Sequence, residues 1–94
     1  MNIKVIVKIE KDYYGNDRPI LFLPNSTSAV GTIAYCSPGD GHGEACYAFY
    51  YKCKHASKKV AEQWQEWYYN LGDDKTPVIL AKKQSTKDRQ LAWN

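Results

Sequence analysis

The chain has 94 residues, a formal net charge of +3, and thirteen Lys and Arg against ten Asp and Glu. That length suits one domain spanning residues 1–94, and the mild basicity permits an acidic or nucleic-acid partner without demanding one. With no apolar run near the ~20 residues of a membrane span and no signal-peptide pattern at Met1–Glu10, the reading is a cytoplasmic protein with no membrane partner.

Ile3, Val5, Val7 and Ile9 alternate with Lys4 and Lys8, the pattern of a half-buried strand. Tyr13–Asp17 is turn chemistry around Gly15. Ile20–Leu23 is an apolar run closed by Pro19 and Pro24, so the strand is short or lies at an edge. A polar loop follows at Asn25–Ala29. Val30–Cys36 and Ala45–Lys54 read as a third and fourth strand, joined as a hairpin by the glycine-rich "SPGDGHGE".

Ser57 is an N-cap. Val60, Trp64, Trp67, Tyr68 and Leu71 then form one face of an amphipathic helix, ended by Gly72. Thr76–Lys83 reads as a fifth strand. Ser85 with Asp88 makes a capping box for a short terminal helix that carries Leu91 and Trp93. The predicted fold is α+β: an antiparallel four- to five-stranded sheet, one amphipathic helix packed on one face, and a short C-terminal helix.

The segment Cys36–His55 holds all three cysteines and both histidines. An odd cysteine count in a cytoplasmic chain reads as thiols rather than a disulfide framework. Strand parity puts Tyr47, Phe49, Tyr51, Cys53 and His55 on one face and Cys46, Ala48, Tyr50 and Lys52 on the other. The first set is the more apolar and is expected to face the helix. His42, Glu44 and Cys46, two residues apart, share a face at the hairpin mouth near Cys36. Such a group could hold zinc or activate a thiolate. The His-x-Glu step of zinc deaminases is present at His42–Glu44, but its Pro-Cys-x-x-Cys partner is missing. No catalytic set is complete, and no cofactor is implied. "GDGHG" lacks the helix or lysine of a phosphate loop, and Asp40 and Glu44 would repel phosphate.

The aromatic content is high: eight tyrosines, three tryptophans and two phenylalanines. An excess of tyrosine suits a protein-binding face or base stacking. The expected contact surface is His42, Glu44 and Tyr50 with Lys52, Lys54 and Lys58. A nucleic-acid surface built from those lysines with Lys59, Lys82, Lys83, Lys87 and Arg89 is the second reading. A metal or thiol site at Cys36, His42, Glu44 and Cys46 is the third. The oligomeric state is left open.

Tyr35-Cys36, Gly41-His42-Gly43-Glu44-Ala45 and Tyr50-Tyr51, together with the ending "VILAKKQSTKDRQLAWN", resemble a group of small uncharacterised bacterial, phage and mobile-element proteins. Gly43 and Cys46 stand where that group is expected to carry serine-like residues. The resemblance implies no activity. It favours an accessory protein of a phage or mobile element that engages a host protein.

Overall fold

The computed structural model describes residues 2–72 and 74–93. Its elements are β1 (Ile3–Lys11), β2 (Asp17–Leu23), β3 (Thr32–Ser37), β4 (Gly41–Cys46), α1 (Tyr47–Lys52), β5 (Lys54–His55), α2 (Lys58–Leu71), β6 (Val78–Leu80) and α3 (Thr86–Ala92). The fold is α+β, as the patterning predicts. The sheet runs β4-β3-β2-β1, and β1's outer edge is shared by β5 and β6.

Every pairing is antiparallel except that of β6, which lies parallel to β1 along Ile3–Val5. β2 is central, not an edge strand. Pro19 is tolerated there because it lies beyond the β2–β3 ladder, whose first pair is Leu21 with Cys36. The last expected strand shrinks to three residues at Val78–Leu80.

Strand alternation sorts the core into two faces. Val5, Val7, Leu21, Leu23 and Ala34 form one buried cluster, against which α2 sets Trp64, Trp67 and Tyr68. This is the amphipathic face read from the sequence. Ile6, Ile20, Phe22 and Ile33 form the other cluster, completed by Tyr50 and Cys53. The sheet is thus covered on both sides, and α1 is the cover that the sequence did not disclose.

Local capping explains where the longer helices begin. Ser57 Oγ accepts from Val60 N at 3.3 Å. Ser85 Oγ accepts from Asp88 N, and the Asp88 carboxylate accepts from Ser85 N, both at 3.1 Å. Gly72 ends α2 with φ −80°, so it caps without entering the left-handed region.

The six-residue α1 has no side-chain N-cap and is too short to hold itself in water. It is held from outside. Lys8 Nζ, on a residue 4% exposed, donates to Tyr50 O at 2.8 Å. The Tyr50 ring meets Phe22 edge-on at 4.8 Å between centroids. Replacing Lys8 by Met keeps the stem and deletes the donor. We expect a loss of about 1–3 kcal/mol in urea unfolding, because a buried carbonyl is left unpaired.

Asp88 is 3% exposed and accepts from Lys4 Nζ at 2.9 Å. Burial pushes its carboxyl up, but the bonds from Lys4 and Ser85 outweigh burial and leave it below its ordinary value. Such a group stabilises the fold fully above the unfolded-state value of about 3.9, and the contribution disappears as pH falls through the lower folded value. Asp88→Asn should therefore be less stable than wild type by about 1–2 kcal/mol at neutral pH. The two unfolding midpoints should converge as pH falls below about 3.9.

Candidate functional site

β4 begins at Gly41 and ends at Cys46, earlier on both counts than expected. Its register with β3 sets His42 opposite Cys36, Glu44 opposite Ala34 and Cys46 opposite Thr32. His42, Glu44 and Cys46 therefore share one face, as their spacing predicts, and it is the face on which α2 lies. They do not converge. Residues four apart on a strand are separated by roughly 13 Å, whereas zinc ligands sit about 2.0–2.3 Å from one ion. Among the described residues, no group of three His, Cys, Asp or Glu could hold a metal.

His42 and Glu44 already have internal partners. His42 Nε2 meets Tyr68 Oη at 3.2 Å. Glu44 accepts from Ala29 N and, at 3.0 Å, from Thr32 Oγ1, which ties β4 to the β2–β3 loop. Cys36 and Cys53 are buried, and Cys46 is exposed. Burial pushes the Cys36 thiol up. Burial, then Glu10, does the same to Cys53. Thiols held up in this way are poor nucleophiles at neutral pH.

The expectation for residues 47–55 is overturned. Tyr47–Lys52 is helical, so strand parity does not apply. Tyr50, expected on the presented surface, is 3% exposed, and Tyr51, expected in the core, is 67% exposed. A helix places positions 47, 50 and 51 side by side. Their rings lie 5.1–6.2 Å apart between centroids, an aromatic cluster a strand could not form.

The lysines also separate. Lys52, Lys54 and Lys58 are all exposed, but they stand on α1, β5 and α2 respectively. Arg89 is stacked between the rings of Tyr47 and Trp93, at 5.2 and 5.4 Å. Among the described residues, no helix is long and apolar enough to cross a membrane.

The surface that the sequence reading passed over is the β1–β2 turn. Tyr13 and Tyr14 are 95% and 83% exposed. Their rings meet edge-on at 5.2 Å. The turn beneath them is locked. Asp12 Oδ1 accepts from Tyr14 N and Asn16 N, both at 2.9 Å, and Asp12 N donates to Asn16 O at 2.8 Å. Gly15 takes φ +82°, open to glycine at no steric cost. The signal was available: two adjacent rings at a hairpin tip have no core to enter.

Antiparallel order brings the β3–β4 turn to the same end of the sheet. Arg18 joins the two hairpins, donating to Glu10 at 2.7 Å and to Asp40 at 2.8 Å. The chain matches no protein-family model, no curated protein and no solved structure, so its chemistry is read from this geometry.

Gly43 pairs with Tyr35 across the β3–β4 hairpin. A Cβ at Gly43 would lie 2.9 Å from Tyr35 Oη and 3.0 Å from Cε1 and Cζ of the ring. Gly43→Ala must displace that ring. We expect a cost of about 1–3 kcal/mol in unfolding free energy, largely recovered when Tyr35→Leu is added.

Proposed function

We propose that this protein is a non-catalytic binding module of the cytosol that engages a protein partner through the hairpin end of its sheet. The observation that carries the reading is the exposed Tyr13–Tyr14 pair on a hydrogen-bonded turn. Tyrosine offers a large amphipathic contact with few rotatable bonds, and binding hot spots are enriched in it. A turn already held in one conformation loses little entropy on docking. The Arg18 bridge to Glu10 and Asp40 supports a preformed end, not one that must order on contact.

This reading moves the expected contact surface away from His42, Glu44 and Tyr50. Two of those are engaged internally, and the third is core. The three free thiols support a reducing compartment. The resemblance to phage and mobile-element proteins supports an accessory role directed at a host protein.

The test is affinity capture followed by calorimetry with the recovered partner. Tyr13→Ala with Tyr14→Ala should weaken binding by about 2 kcal/mol or more. Its unfolding midpoint should match wild type, because neither ring is buried. His42→Ala should bind as wild type does. Undiminished affinity of the double variant would overturn this surface.

A further inference from the structure

α2 buries no residue completely. Its backbone lies over β1 and β6, and its small Ala61 leaves space beside the end of β6. That space is a cavity of about 640 Å³, within the roughly 300–1,000 Å³ of small-molecule sites.

The cavity follows from how β1's outer edge is filled. β6 takes its first half and β5 its second. Ala81 N donates to Val5 O and Ala56 N to Val7 O, so the strand backbone stays paired up to the join. Val7, Ala61 and Leu80 supply an apolar floor, and His55, Lys58 and Lys82 supply the polar rim. The small residues at 56, 61 and 81 leave the depth open. Among the described residues, no carboxylate lines it, and no Trp, Tyr or Phe does. The first fact favours an anion. The second leaves it without the broad ring on which a nucleic-acid base would stack.

We propose that this cavity binds a small organic anion, with its carboxylate or phosphate head between Lys58 and Lys82 and an aliphatic or ring body over Val7, Ala61 and Leu80. The site is separate from the hairpin tip and does not depend on it. Burial, then the charges of Lys8 and Lys82, hold the His55 imidazole below its ordinary value. On the cavity side the charged groups near it are Lys8 on β1, Lys54 beside it on β5, Lys58 on α2 and Lys82 after β6; Asp17, paired with Lys11 at 2.6 Å, lines the adjoining hollow. A bound anion would draw a proton back onto His55.

Titration of the isotope-labelled protein by NMR decides the matter. The probes are octanoate and phenyl phosphate, with octanamide as the neutral control and acetate and inorganic phosphate as heads without bodies. We expect saturable shifts at Ala61, Leu80 and Ala81 with at least one amphiphilic anion, at a Kd below about 1 mM. Octanamide and the bare heads should bind about tenfold more weakly or worse. The His55 pKa should rise on saturation. Lys58→Gln with Lys82→Gln, both at exposed positions, should lose about tenfold in affinity with no change in Tm. Absence of saturable shifts, equal binding of octanamide, or undiminished binding by the double variant would each overturn the proposal.

Discussion

The contact between Lys8 and Tyr50 sets how the two sides of this sheet are closed. β1 pairs with β2, β5 and β6, and Lys8 stands on it among apolar neighbours. Its ammonium donates to Tyr50 O and lies 3.9 Å from the centre of the Tyr50 ring. A short helix ends in unpaired carbonyls and a partial negative charge. A cation there meets the carbonyl, the helix end and the ring face together. Burial pulls the Lys8 ammonium down, and Cys53 works in the opposite direction. The desolvation cost of a buried charge is offset because every partner it meets is electron-rich.

Once α1 is fixed, the last third of the chain has something to dock on. Tyr47 Oη donates to Gln84 Oε1 at 2.7 Å, and Gln84 Nε2 donates to Pro24 O at 2.8 Å. Trp93 Nε1 donates to Thr32 O at 3.0 Å, with its ring 6.0 Å from that of Tyr47. Lys4 reaches Asp88 from β1. The terminal helix is therefore tied to β1, to β3 and to the loop after β2, and its seven residues need no packing stripe of their own. This explains why the sequence shows its cap so clearly and its packing so poorly.

The legible features were the local ones. Alternation marked β1, periodicity marked α2, and Ser57 and the Ser85–Asp88 box marked helix starts, because each is decided within a few residues. The illegible ones were decided at a distance. Lys4 and Lys8 looked like the solvent side of a half-buried strand, since a charge pattern cannot show a carbonyl 42 residues away. Tyr47–Lys52 is rich in strand-favouring aromatics, and tertiary contact overrode that propensity. That single error exchanged the fates of Tyr50 and Tyr51. Spacing placed His42, Glu44 and Cys46 on one face correctly, but which face, and with Tyr68, Thr32 and Ala29 as neighbours, was a question of topology.

A sheet covered on both faces meets partners at its edges, at its ends, or in gaps beside its covering helices. The β1 edge is divided between a two-residue and a three-residue strand with lysines alongside, an arrangement that gives an incoming strand little to pair with. The β4 edge is six residues long and contains two glycines. Its Glu44 anchors the loop beside it, and its Gly43 lies under the Tyr35 ring, so its composition serves the hairpin's own packing. That leaves the end where two turns are joined by Arg18 and the gap beside α2. The two differ in kind: one projects aromatic rings from a rigid turn, and the other recesses an apolar floor behind cations. A projecting tip suits a macromolecular surface, and a recess suits something small enough to enter it. The physical division between the faces of the sheet thus becomes a division between two modes of recognition.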